Sequence, residues 1–254
     1  MRKLTAAMIV RNEEDALPAC LDSLAGVADE LVVIDTGSDD GTPALLSREA
    51  AADRFERVEV GRSGFGGFGA ARRLSLDAVR TGWVLWIDAD ERLTPGLRRE
   101  LSRRLDDGTI DENDLWRIPF DTYVLGRRMR CRELEGQRRA RLFRAGAAAF
   151  SPSAVHEGLV PAAGAKTGDL AGRIEHHTMT SWRGYLRKTA LYARLEAGSR
   201  SRAYAVVHMP VAFVATFWRQ YAWRECWRDG RAGFVWAFTS GLGAILRDWR
   251  TLTR

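Results

Sequence analysis

Cysteine is scarce. The 254-residue chain has three, Cys20, Cys131 and Cys226, far apart, with no CxxC and no histidine at ligand spacing. That excludes a disulfide framework and a sequence-local zinc site, and it points to a reducing compartment. Lysine is scarcer still, 3 against 36 arginines, which reads as genome composition before function. The N-terminus, MRKLTAAMIVRNEED, lacks the apolar run and cleavage site of a secretory signal and reads as a first strand. Long apolar runs are missing too. The charge-free stretches 203–218 and 232–246 hold 16 and 15 residues, short of the ~20 that a membrane-spanning helix needs. There is no internal repeat and no low-complexity tract.

What is present suits a globular chain with a sizeable core: 46% hydrophobic and 28% charged residues. LTAAMIV (4–10), ELVVID (30–35), RVEV (57–60) and WVLWID (83–88) read as buried strands. Between them NEEDALPACLDSL (12–24), with Asn12 as its cap, TPALLSREAAA (42–52) and the end of GRSGFGGFGAARRLSL (61–76) read as helices. This alternation implies a parallel sheet covered on both faces. An amphipathic helix (93–105), short β-like runs (115–180) and a helical segment (181–205) follow.

In open parallel sheets, ligands bind beyond the carboxyl ends of the strands. Three polar clusters fall there: Asn12 and Glu13, Asp35 with TGSDDGT, and Asp88-Ala89-Asp90. Asp88 and Asp90 are two apart, so in an extended stretch both carboxylates face one side. Such like charges need a cation or donors between them. Mg2+ or Mn2+ suits the pair, because these ions take one or two carboxylates and complete their shell with substrate phosphates. The glycine-rich loop 61–69 has G-x-G-like spacing, but no later strand end supplies the acidic residue of a dinucleotide site.

MIVRNEEDALPACLDSL, ELVVIDTGSDDGT and WVLWIDADERL together resemble the GT-A domain of family 2 glycosyltransferases. GFGAARRLSL, RLFR followed by AVHEGL, IEHHTMTSWRGYLRKTALYA and the apolar Arg/Trp-rich tail extend the likeness to a bacterial subgroup that assembles lipopolysaccharide core and related surface glycans. The resemblance implies a Rossmann-like, mostly parallel α/β sheet with flanking helices. It implies an inverting, metal-dependent transfer from a nucleotide-sugar, first a UDP-sugar, to a lipid-linked or glycan acceptor. Asn12, Glu13, Asp35, Arg72 and Asp88 would bind the nucleotide-sugar, and Asp88 and Asp90, with His176, the cation. The family often has asparagine after the basic residue, where this chain has Arg73; the alternative for Arg72 and Arg73 is a solvated helix face.

Such a transfer needs a base for the acceptor hydroxyl. Glu157 in VHEGL is the first candidate, then Glu135 and Glu133 in ELEGQ. Where subgroup relatives carry Trp and Asp before RLF, this chain reads RCRELEGQRRARLF. His176 and His177 follow the strand-like DLAGRIE. Arg141 and Arg144 would face phosphates or lie on an exposed β-edge.

Residues 200–254 hold nine Arg and three acids, so this segment carries the whole net charge of +6. Five of nine Trp lie there, at 218, 223, 227, 236 and 249. Trp and Arg around short apolar stretches suit helices on an anionic leaflet, with a core-packing or dimerising helical pair as the alternative. No nucleic-acid motif accompanies them. The expected organisation is a catalytic domain over 1–180, with a nucleotide-sugar half (1–110) and an acceptor half (111–180), and a membrane-associating helical region over 181–254. The expected location is cytoplasmic, peripheral on the inner face of the cell membrane. The rivals are a polyprenyl-phosphate glycosyltransferase, a non-catalytic glycan-binding scaffold, and a sugar nucleotidyltransferase, whose glycine-rich first loop is here RNEED.

Overall fold

The computed structural model describes residues 2–64, 68–150, 158–179, 185–186, 189–190, 193 and 201–253. The chain forms two compact units, Met1–Phe120 with Arg138–His176, and Asp121–Gln137 with His177–Arg254.

The first unit opens with β1 (Leu4–Val10), α1 (Leu17–Leu24), β2 (Glu30–Asp35), α2 (Thr42–Ala50), β3 (Arg57–Arg62), α3 (Phe68–Asp77) and β4 (Trp83–Trp86). After β5 (Glu91–Leu93) and α4 (Pro95–Asp107) the chain continues through β6 (Leu115–Val124), β7 (Arg127–Arg128), β8 (Arg138–Arg144), β9 (Ala148–Phe150), β10 (Leu159–Pro161), β11 (Thr167–Asp169) and β12 (Ile174–Met179); β7, and β6 and β12 from Asp121 and His177 on, fall in the second unit. The main sheet runs β3-β2-β1-β4-β8-β6-β12-β5. It is parallel from β3 to β4 and antiparallel at β4–β8, β8–β6 and β12–β5.

Alternate residues of β1 explain its uniform apolarity. Leu4, Ala6, Met8 and Val10 join the core with Leu17, Cys20, Leu21 and Leu24 of α1 and Leu97, Leu101 and Leu105 of α4. Ala7 faces the other way, with Val84, Leu115 and Phe143, against Leu76 of α3. A strand buried on both faces has no polar side to show. The sharpest helix signals are those of α4. Thr94 Oγ1 accepts the Leu97 N–H (3.3 Å), Pro95 takes the first turn, and Gly108 ends the helix at φ 84°.

Three local expectations are corrected. The first helix begins at Leu17, with no side-chain cap at Ala16, because Asn12 sits at φ 58° and spends its amide elsewhere. β4 ends at Trp86, and residues 88–91 form a turn closed by Glu91 N–H donating to Asp88 O (3.0 Å), so the D-x-D is not extended. His176 and His177 lie inside β12 rather than beyond a strand end.

The second unit contains α5 (Arg202–Trp218) and α6 (Gly230–Leu252), joined by a π turn at Arg219–Trp223 and a 3-10 turn at Cys226–Asp229. The buried Asp229 carboxylate accepts the N–H groups of Arg130 and Cys131, which ties residues 130–131 to this connector. Most of the helical segment expected over 181–205 lies outside the described residues. Among the described residues no helix is long and apolar enough to cross a membrane.

Candidate active site

β2, β1 and β4 are neighbours in the parallel half of the sheet, and their carboxyl ends carry Asp35, Asn12 and Asp88. Asp35 is buried. Its Oδ1 accepts Gly37 N–H (3.1 Å), Ser38 N–H (2.9 Å) and Ser38 Oγ (2.8 Å). Gly37 makes that tight wrap possible at φ 101°. Asp35 Oδ2 is buried without a hydrogen bond, and Arg62 Nε lies 3.6 Å away. A carboxylate held by one oxygen presents the other as an acceptor for an N–H or O–H of a ligand.

Asn12 and Glu13 lace the first loop to the second. Asn12 Nδ2 donates to Asp39 Oδ1 (2.7 Å) and its Oδ1 accepts Asp39 N–H (2.9 Å). Glu13 N–H donates to Thr42 Oγ1 (2.9 Å). Asn12 therefore acts here as a clip in a left-handed backbone conformation. Asn12→Ala is expected to cost ~2 kcal/mol, from backbone strain and lost bonds, and Asn12→Gly about 1 kcal/mol less, because glycine carries no strain there. Urea denaturation of the two variants checks the difference.

A charged cluster surrounds Trp86. Arg72 on α3 and Arg141 on β8 both lie over its ring, at 4.4 and 4.0 Å from the centroid. Arg72 Nη2 reaches Asp88 Oδ1 (3.3 Å) and Arg141 Nη2 reaches Asp88 Oδ2 (3.1 Å). Arg141, 2% exposed, also donates to Glu91 Oε1 (2.5 Å), and Glu91 Oε2 accepts the Asp88 N–H (3.0 Å). Burial pushes the Asp88 carboxyl up, but Arg141 and then Arg72 overcome it and leave it below its ordinary value. Burial also pushes Glu91 up, to about 7, with the Asp88 charge adding to the rise and Arg141 opposing it. Trp86 Nε1 and Arg141 Nε and Nη1 are buried N–H donors without a hydrogen-bond partner among the described residues. Arg73 is exposed.

Asp90 is nearly buried, and its Oδ2 lies 3.5 Å from His176 Nε2. A carboxylate and an imidazole that close are donors that Mn2+ accepts. No group of three or more His, Cys, Asp or Glu among the described residues is arranged to hold an ion alone. Two such donors would leave the rest of a cation's shell to a substrate's phosphates, the usual Mg2+ arrangement. Of the acid–base candidates, Glu157 lies outside the described residues. Glu133 pairs with Arg224, and Glu135 is exposed; both belong to the second unit.

Glu91 and Trp86 carry no site signal in the sequence, and for Arg141 the sequence allows either a phosphate contact or an exposed β-edge. The edge reading is wrong, since β8 lies between β4 and β6. An arginine beside Leu142 and Phe143 in an inner strand has to be paired, but only the strand order shows that β8 is an inner strand.

The family model described as glycosyl transferase family 2 matches residues 5–153. The lipopolysaccharide core biosynthesis glycosyltransferase LpsC of Rhizobium meliloti is 32% identical over 253 residues, covering 96% of this chain and 89% of that protein. The succinoglycan biosynthesis protein ExoO of the same organism is 35% identical over 103 residues, 40% of this chain and 27% of ExoO. Among solved structures, that of S. aureus TarS 1-349 superposes with a TM-score of 0.49 at 14% identity, covering 98% of this chain and 90% of that one.

Proposed function

This chain belongs to glycosyl transferase family 2, and from that premise we propose an inverting transfer of a sugar from a UDP-sugar to a membrane-linked glycan or lipid, in lipopolysaccharide core or surface-glycan assembly. The observation that carries the proposal is the cluster at Trp86. It holds two guanidiniums beside Asp88 and three buried N–H donors that lack acceptors among the described residues, which is the complement of a diphosphate.

In this reading Asp35 takes the nucleotide's base or ribose through its open Oδ2, with Asn12 and Glu13 fixing the loop around it. Arg72 and Arg141 face the diphosphate. Asp90 and His176, with Asp88 as a further candidate ligand, would hold Mg2+ or Mn2+ together with the substrate's phosphates, and the ion when bound would neutralise charge on the leaving diphosphate. Residues 1–110 form the nucleotide-sugar half, 111–180 the acceptor half, and 181–254 associate with an anionic membrane surface from the cytoplasmic side.

The base that takes the acceptor proton is Glu157, then Glu135, then Glu133. Glu157→Gln is expected to keep nucleotide-sugar affinity and lower turnover by ~10²–10⁴-fold, because an amide accepts no proton. Calorimetry and initial rates on the same preparation check both halves of the statement. Near-normal turnover would move the role to Glu135 or Glu133.

A further inference from the structure

The α5–α6 hairpin is packed inside out. Small side chains fill the buried positions of both helices: Ala205, Ala212 and Thr216 on α5, and Gly233, Ala237 and Gly241 on α6. At Gly241 a Cβ would come within 2.8 Å of the Phe213 ring. Phe213 and Phe217 pack across the hairpin on Phe238 and Phe234, but a row of large apolar residues on α5 points outward. Val207 is 77% exposed, and Val211, Val214 and Trp218 are exposed by 54–56%. Their spacing of four, three and four places them on one line along the helix. Phe234, Phe238 and Trp249 are exposed on α6. A helix pair in water turns its polar face out; α5 offers no charged side chain from Ala203 to Trp218.

The ends of the hairpin are cationic and aromatic. Trp223 and Trp227 are exposed at the connector beside exposed Arg219, Arg228 and Arg231, and Arg202 and Arg250 are exposed at the far end. The three acids are all engaged within the unit. Asp248 meets His208 Nδ1 (2.6 Å), Glu225 accepts Arg228 Nη1 (3.0 Å), and Asp229 accepts backbone N–H groups. The outward charge is therefore positive around a charge-free middle of 16 residues, 203–218, about 24 Å long. A second copy of the hairpin would bring the same arginines against these. An anionic leaflet matches both parts, with acyl chains for the middle and phosphates for the ends.

We propose that the α5–α6 hairpin lies within one leaflet, with Val207, Val211, Val214 and Trp218 among the acyl chains and the arginines at the headgroups. The proposal rests on the membrane association put forward above and specifies how it is made.

The test is flotation of the full chain with phosphatidylcholine vesicles containing one quarter phosphatidylglycerol, for the wild type and for Val211→Asp/Val214→Asp. Both valines are outward, so circular dichroism should be unchanged. Wild type should float, keep a bound fraction in 1 M salt, and lose tryptophan emission to brominated acyl chains. The double variant should partition ~10²-fold more weakly, because two apolar side chains no longer leave water. Equal binding of the variant overturns the proposal. Complete release of wild type by salt also overturns it, while leaving a purely electrostatic membrane association standing. Failure of wild type to bind any vesicle removes that association as well. A lipid-free dimer that the variant disperses would assign the face to a second copy and overturn the proposal.

Discussion

Asp90→Ala is expected to lower sugar transfer by at least ~10²-fold and to remove the metal dependence of nucleotide-sugar binding, with little change in stability. Asp90 is the best position for this test. Asp88 is bound by two arginines, so removing it would unbalance the whole cluster. Asp90 meets His176, whose side chain is partly exposed, so its loss leaves little buried charge behind. Initial rates and donor affinity with and without EDTA measure the effect. If affinity and its response to EDTA match the wild type, Asp90 has no role at the diphosphate.

Arg141→Ala is expected to cost ~3 kcal/mol of folding stability. Arg141 is the cation that touches Glu91, which is fully buried, and breaking such a pair typically costs ~3–5 kcal/mol. The lower end applies because burial already holds the Glu91 carboxyl near 7, so it takes up a proton when its partner goes. Arg141→Met combined with Glu91→Gln should recover much of the loss, since neither side chain then leaves a charge in the core. Urea denaturation of the single and double variants gives the coupling. A loss under ~1 kcal/mol, or no recovery in the double variant, would show that the pair does not hold this part of the sheet.

The two variants mark what sequence could and could not convey. Asp35, Asp88 and Asp90 stand out because each follows a run of residues too apolar for anything but a covered strand, and the carboxyl ends of parallel strands are where ligands bind. The rhythm of strand and helix to residue 93 is local information, and the structure follows it to within a few residues. Arg141 depends on long-range order. RARLFR reads alike at an edge or in the middle, and only insertion between β4 and β6 decides that the guanidinium is buried. The shape of the D-x-D depends on long-range order in a similar way. Glu91 is drawn into the core and accepts the Asp88 N–H, which bends residues 88–91 into a turn. Asn12 has the composition of a helix cap, but Asp39, 27 residues on, competes for its amide. In the tail, composition announces apolar helices, and only their packing shows that Val207, Val211, Val214 and Trp218 face outward.

The most direct measurement is a donor screen on the purified full chain, with UDP-, GDP- and ADP-sugars each presented with Mn2+ or Mg2+, followed by calorimetric binding and nucleoside diphosphate release. A UDP-sugar should bind, release its diphosphate slowly to water, and lose affinity on addition of EDTA. A folded protein that binds and turns over no nucleotide-sugar in the series would contradict the account.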